Sequence, residues 1–184
     1  YYGGDGIDEL RLDLIDDGLT FDMAAGIYYQ LIATQFDMIG IENLEATSGD
    51  DIVIGSNASN SIDGNGGNDT ILAGLGEDTV QGLSGDDYID GQNGNDDLQG
   101  EVGNDLVGGG NGNDTLFGGS GNDTLIGSFG TDTMDGGSGN DIYYYENLGD
   151  VIIEAAGDSA DIILSAISAT IALIDVDVEN MTLT

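Results

Sequence analysis

The feature that most constrains this chain is an aspartate that returns every nine residues through its middle. Ten aspartates share this grid without insertion or deletion: Asp51, Asp69, Asp78, Asp87, Asp96, Asp105, Asp114, Asp123, Asp132 and Asp141. Asn60 takes the grid position that lies between the first two. A helix repeats its buried face every three to four residues and a strand every two, so neither explains a period of nine. The period predicts a coil of repeating units.

Two other positions keep the same phase as the grid. Two residues after each grid position stands an apolar or aromatic side chain: Val53, Ile62, Ile71, Val80, Ile89, Leu98, Val107, Leu116, Leu125, Met134 and Tyr143. Two residues before it stands glycine, except for Ala58 in the repeat that contains Asn60. A disordered linker does not keep a phased apolar residue, so we interpret these positions as a core.

The repeat divides into a turn and a strand. Glycine accepts positive φ angles, so segments such as GGSGND at 118–123 suit a tight turn, and the TLI that follows suits a short strand. Two turns and two strands close one rung of 18 residues. We therefore predict an all-β parallel solenoid, with two nonapeptide repeats per rung and the apolar side chains inside. Equivalent aspartates of alternate repeats would stack about 4.8 Å apart along each edge.

The charge of the chain restricts what can bind to such edges. The sequence has 36 acidic residues and one basic residue, Arg11, which give a formal net charge of −35. Two carboxylates at the rung spacing repel by about 3 to 4 kcal/mol at an effective dielectric of about 20. One arginine cannot neutralise a phosphate backbone, which excludes nucleic acid as a partner and disfavours an anionic membrane surface. The expected partner is a cation.

Calcium is the cation that suits these residues. Ca²⁺ prefers six to eight oxygen ligands, which paired aspartates and glycine-turn carbonyls supply, whereas Mg²⁺ tends to keep its waters. The alternation assigns six metal-ligand candidates to one edge: Asp51, Asp69, Asp87, Asp105, Asp123 and Asp141. It assigns Asn60, Asp78, Asp96, Asp114 and Asp132 to the other edge. We expect about eight to ten calcium ions. Asn60 is expected to be a weak ligand because its amide is neutral.

The repeats GGNGNDTLF at 109–117 and GGSGNDTLI at 118–126 resemble the RTX repeats of secreted bacterial proteins, whose unit is GGxGxDxUx. The resemblance covers eleven contiguous units in one phase. It implies a right-handed parallel β-roll that holds Ca²⁺ between turns on the same edge. It also implies a secreted, extracellular protein that leaves the cell unfolded through a type I secretion machine and folds in calcium outside.

The resemblance extends to both flanks of the array. GGDGIDELR at 3–11 is one more unit and adds Asp8 to the metal-ligand candidates, and NLGDVII at 147–153 adds Asp150. Asp161 lies eleven residues after Asp150, so we expect the register to slip there.

No motif in the sequence indicates catalysis, and we predict that the chain is not an enzyme. It contains no histidine, which removes a histidine-based triad and the HExxH zinc site, and no GxSxG motif is present. Without cysteine, neither a disulfide nor a thiolate metal site can form. The carboxylates are periodic, unlike the single pair of a glycoside hydrolase.

We expect three segments along the chain. They are one RTX unit with a β flank at 1–45, the calcium roll of eleven repeats at 46–144, and a closing or continuing β segment at 145–184. IENLEAT at 41–47 and VENMTLT at 178–184 share one pattern, so we expect the chain to be an excerpt of a longer tandem protein. The open ends of such a solenoid can stack or self-associate.

Two functions remain open from the sequence. In the first, the chain is the calcium-stiffened structural module of a scaffold, adhesin, surface layer or filament, secreted or attached to the cell surface. In the second, it is the carrier or stabilising domain of a secreted toxin or hydrolase.

Overall fold

The computed structural model describes residues 9–11, 34–37, 43–154, 161–165, 173–174 and 180–183. Its strands are β1 (Glu9–Arg11), β2 (Thr34–Asp37), β3 (Asn43–Glu45), β4 (Asp51–Ile54), β5 (Ser61–Asp63), β6 (Thr70–Leu75), β7 (Thr79–Ser84), β8 (Tyr88–Asn93), β9 (Asp97–Val102), β10 (Leu106–Asn111), β11 (Thr115–Ser120), β12 (Thr124–Phe129), β13 (Thr133–Ser138), β14 (Ile142–Tyr145), β15 (Val151–Ile153), β16 (Ile162–Ser165), β17 (Leu173–Ile174) and β18 (Asn180–Leu183). Among these residues no helix occurs that is long and apolar enough to cross a membrane.

The strands form two parallel nine-stranded sheets, one of odd-numbered and one of even-numbered strands. The chain crosses from one sheet to the other at each turn, so strands two apart in sequence are hydrogen-bonded neighbours. Partners in the middle of the roll lie 18 residues apart, as where Leu98 pairs with Val80 and with Leu116. This confirms the predicted all-β parallel β-solenoid with two repeats per rung.

The core between the sheets consists of one inward column of side chains from each sheet. Every apolar position predicted from the repeat is fully buried: Val53, Ile62, Ile71, Val80, Ile89, Leu98, Val107, Leu116, Leu125, Met134 and Tyr143. Leu44, Ile152 and Ile163 continue the columns beyond the regular array. Each of these side chains removes apolar surface from water and packs against the rung above and below.

The strands from β6 to β13 are six residues long, longer than the three residues predicted. In β12 the strand includes Gly127 and Ser128, which the sequence had suggested for the turn. Parallel pairing continues through these residues, for example between Gly110 and Ser128. Because stacked rungs repeat the same bend, their backbone groups stay in register through it.

The bend is made by a left-handed residue four positions before the grid aspartate. Glycine holds this position at Gly74, Gly110, Gly119 and Gly137. Other residue types hold it with φ between 68° and 77°: Asn65, Leu83, Gln92, Glu101 and Ser128. A residue with a Cβ is strained in this region of backbone conformation. The strain at these five residues therefore lowers the stability of the folded chain.

We expect Gln92→Gly to raise the free energy of unfolding by about 1 kcal/mol, because glycine adopts the positive φ of Gln92 without strain. Gly74 and Gly110 already hold the equivalent position one rung before and one rung after. Equilibrium denaturation of the folded chain measures the effect. Asn93→Gly is the control, since Asn93 is not left-handed, and it should destabilise the fold. A Gln92→Gly variant that is no more stable than the parent would contradict the explanation.

Candidate metal centre

The turns place the grid residues in two rows, one along each edge of the roll. The first row contains Asp51, Asp69, Asp87, Asp105, Asp123, Asp141 and Asp161. The second row contains Asn60, Asp78, Asp96, Asp114, Asp132 and Asp150. Each side chain is at most 4% exposed. Aspartate is almost never buried to this extent unless it is paired or binds a metal.

From Asp69 onward, one oxygen of each row carboxylate joins two rungs. The backbone amide of Asp69 donates to Oδ1 of Asp87 at 2.7 Å, and the amide of Asp96 donates to Oδ1 of Asp114 at 2.9 Å. The same bond recurs along both rows. Every grid residue therefore ties its own backbone to the acid of the next rung.

The other carboxylate oxygen is buried without a hydrogen-bond partner among the described residues. This holds for Oδ1 of Asp51 and for Oδ2 of Asp69, Asp78, Asp87, Asp96, Asp105, Asp114, Asp123 and Asp132. Leaving a buried carboxylate oxygen unsatisfied carries the full cost of removing it from water. A bound cation or a proton would satisfy each atom of this repeated set.

In all of these repeats except those of Asp51 and Asp78, which have alanine there, the unpartnered oxygen lies beside the first glycine of its own repeat, five residues before the aspartate. A methyl group built on Gly118 would lie 2.5 Å from Oδ2 of Asp123 and 2.7 Å from the carbonyl oxygen of Gly136. At Gly91 the corresponding distance to Oδ2 of Asp96 is 2.5 Å. A carboxylate and a carbonyl oxygen thus converge on a space that only glycine leaves open. An all-oxygen set of this kind fits Ca²⁺.

Burial raises the pKa of the grid carboxyl groups from Asp69 to Asp132 above the usual range. The pKa is about 8 for Asp69, about 7 for Asp96 and Asp123, and about 6 for Asp105 and Asp132. The hydrogen bond from the preceding rung opposes the effect of burial, and neighbouring carboxylates add to it. Without an ion, the turn therefore favours the neutral, protonated form of its aspartates. A bound divalent cation would favour the ionised form.

In the first turn of each row, the residue four positions before the grid residue donates hydrogen bonds to the grid side chain. Oδ2 of Asp51 accepts hydrogen bonds from the amide and hydroxyl of Thr47 at 2.7 and 2.8 Å. Oδ1 of Asn60 accepts from the amide of Ser56 at 2.8 Å. In the repeats from Asp69 to Asp141 the residue in the place of Thr47 and Ser56 is left-handed. Each of these two turns thus donates hydrogen bonds to one side-chain oxygen of its own grid residue.

The C-terminal end of each row also departs from the repeat. Oδ2 of Asp150 accepts a hydrogen bond from the amide of Asn147 at 3.1 Å. In the first row, Asp141, Glu154 and Asp161 are all buried and offer carboxylate oxygens within 4.8 Å of one another. The hydroxyl of Tyr143 donates to Glu154. Burial raises the pKa of Glu154 to about 7, the Tyr143 hydrogen bond opposes this, and the two aspartates add to it.

Sequence reasoning missed two of these acids. Asp161 accepts a hydrogen bond from the amide of Asp141 at 2.8 Å, although it lies 20 residues away, so it takes the grid place despite a two-residue insertion. The sequence does contain a signal for Asp161. Ile163 follows it by two residues, as an apolar residue follows the grid position in every repeat. Glu154 stands where a first glycine would be, and no repeat rule anticipates it. Asp8 lies outside the described residues.

Comparison with known proteins agrees with the geometry. Residues 45–80, 72–107 and 108–143 match the RTX calcium-binding nonapeptide repeat (4 copies), and these matches together span more than half of the chain. No curated protein matches it. With its repeat, its β-solenoid and its two rows of buried aspartates, the chain belongs to the RTX calcium-binding nonapeptide repeat family.

Proposed function

We propose that this chain is the calcium-binding structural module of a secreted or cell-surface protein, and that it folds when Ca²⁺ enters its turns outside the cell. The observation that supports this most strongly is the set of buried carboxylate oxygens without hydrogen-bond partners, repeated along both edges. A catalytic centre uses a few distinct groups, whereas here the same group recurs at every rung. Repetition of one ligand set suits a structural role.

Each proposed site lies between two acids of one row that are one rung apart. The ligands are the predicted set, Asp51, Asp69, Asp78, Asp87, Asp96, Asp105, Asp114, Asp123, Asp132 and Asp141, with Asp8 and Asp150 at the flanks. They bind about eight to ten ions together with turn carbonyls. The site between Asn60 and Asp78 is the weakest for two reasons. The side-chain amide of Asn60 is already hydrogen-bonded to Ser56. Ala73 stands where most other repeats have their first glycine, and so adds a methyl group there.

Binding and folding are coupled in this proposal. The ion-free roll holds acids with raised pKa values at the rung spacing, so the unfolded chain is favoured until calcium supplies the opposing charge. Extracellular calcium modules have dissociation constants of about 10⁻⁴ to 10⁻³ M, which match calcium outside cells. RTX repeats are typical of secreted bacterial proteins. The open ends of the roll would stack on following sequence or on another subunit.

We expect the chain to lack most of its β structure in chelator and to gain it cooperatively in millimolar Ca²⁺, because the core alone does not offset the repulsion of the stacked acids. Circular dichroism during a calcium titration measures this transition. Mg²⁺ at the same concentrations is the control and should produce much less structure. A full β spectrum in excess chelator would sink the proposal.

We expect Asp105→Asn to raise the calcium concentration at the folding midpoint and to lower the number of ions bound, since Asp105 adjoins the sites shared with Asp87 and with Asp123. The substitution also removes the charge from the hydrogen bond that the amide of Asp87 donates to this side chain, and hydrogen bonds to charged groups contribute about 1.5 to 3 kcal/mol. Asp97→Asn is the matched control, because Asp97 is exposed on a strand and the change in charge is the same. Isothermal titration calorimetry reports both quantities. Equal effects of the two substitutions would contradict the assigned ligands.

We expect acid to favour the ion-free fold. The folded pKa values of Asp69, Asp96 and Asp123 are about 7 to 8, above the 3.8 of an aspartate in the unfolded chain, so the folded chain binds more protons between those limits. The contribution of protonation is therefore complete below about pH 4 and is lost as pH rises through 7 to 8. In chelator, β structure at pH 5 should exceed that at pH 8 by circular dichroism. An increase in β structure with rising pH would contradict the predicted direction of the pH dependence.

A further inference from the structure

The two outer faces of the roll differ in chemistry. On the sheet of even-numbered strands, the outward side chains from β4 to β16 include Ile52, Ile54, Leu72, Tyr88, Leu106, Ile126, Ile142, Tyr144, Ile162 and Leu164, here called the apolar face. On the sheet of odd-numbered strands, the outward side chains from β3 to β15 are mostly polar, with Phe117, Val151 and Ile153 as exceptions: Asn43, Glu45, Ser61, Asp63, Thr79, Gln81, Asp97, Gln99, Thr115, Thr133 and Asp135.

Charge separates the two faces as clearly as hydropathy. Among the outward side chains of β4 to β16 on the apolar face, Asp90 alone is charged. The opposite face carries Glu45, Asp63, Asp97 and Asp135 between β3 and β13. In a chain of formal net charge −35, the apolar face is therefore the described surface on which another anionic molecule meets the least repulsion.

The apolar face is also shaped to meet a copy of itself. Gly108 and Gly110 leave a depression of about 210 Å³, lined by Tyr88, Leu106 and Ile126 and also by Asp90, whose carboxyl group the hydroxyl of an entering tyrosine could meet. Beside it, the ring of Tyr88 is 40% exposed. A twofold axis between β8 and β10 would set the Tyr88 of each copy at the depression of the other. Such reciprocal contact is the signature of an isologous interface.

We propose that two calcium-loaded copies of this chain pair face to face through the apolar face. The pairing rests on the proposed function, because the face exists only when the roll is folded. Sheets stack about 10 Å apart when short side chains interdigitate, and the half-buried aliphatic side chains here suit that spacing.

The size of the apolar face determines the strength of pairing. Seven strands at about 4.8 Å give a length of about 29 Å, and three residues of each strand give a width of about 10 Å. The area is well under the roughly 800 Å² per partner of a stable complex, so the dimer is weak. Since the remaining negative charge of the two copies opposes contact, added salt strengthens the dimer, the reverse of its effect on a charge-driven complex.

Sedimentation velocity in millimolar calcium, at protein concentrations from about 10 to about 500 μM, tests the proposal. Circular dichroism on the same samples confirms folding. We expect the parent chain to shift from monomer towards dimer as concentration or salt increases. Tyr88→Asp with Ile126→Asp should weaken the dimer at least tenfold, because Asp90 shows that the face accepts an aspartate without losing the strand.

The matched control carries the same two charges on the opposite face, as Thr115→Asp with Phe117→Asp, and should dimerise like the parent. A folded parent that stays monomeric throughout overturns the pairing and leaves the proposed function intact. A dimer that survives the first pair of substitutions overturns it as well and indicates stacking through the solenoid ends. A chain that does not fold in calcium overturns the proposed function, and the pairing with it.

Discussion

The structure depends on carboxylates that stack one rung apart inside the turns. From Asp69 onward, one oxygen of each grid aspartate accepts the backbone amide of the preceding rung, as Asp123 does from Asp105 at 2.8 Å. From Asp69 to Asp132 the other oxygen is buried without a hydrogen-bond partner among the described residues. The same side chain therefore holds the rungs together and offers an oxygen to the proposed calcium site. Because the two roles share one residue, the fold and the metal site cannot be separated in this chain.

A second ladder of hydrogen bonds links each turn to the preceding rung, whereas the grid amides bind the following rung. The residue before the grid aspartate is exposed, and its amide donates to a side chain of the preceding rung, as Asn122 does to Oδ1 of Asn104 at 2.9 Å. Asp123, the next residue, donates instead to Asp141 of the following rung at 2.7 Å. Adjacent amides thus bind opposite neighbours. The acceptors of this outer ladder are asparagine and serine side chains as well as aspartates, so it forms without metal and fixes the spacing at which the inner acids stack.

The period of nine was sufficient to predict the rungs, the core and the two rows, because a phased apolar residue such as Leu98 has only the interior to occupy. It was not sufficient for the local backbone. Leu83 and Glu101 adopt positive φ because the repeat imposes the bend on whichever residue stands there, against the preference of that residue. The position of Glu154 depends on tertiary contacts with Tyr143 that no repeat rule encodes. Prediction therefore succeeded for the features that the period determines, and failed for the backbone within each rung and for the one rung that differs.

The alternation of repeats explains how one period yields two unlike faces. Successive nonapeptides contribute to opposite sheets, so a property that alternates between repeats becomes a property of one face. The last residue of the repeat is Asp63, Gln81 or Gln99 on one sheet and Leu72 or Ile126 on the other. These differences leave the turns unchanged, because the grid aspartate and its glycines are the same in both sets. Calcium binding therefore constrains the edges of the roll, while the outer faces remain free to acquire separate surfaces for contact.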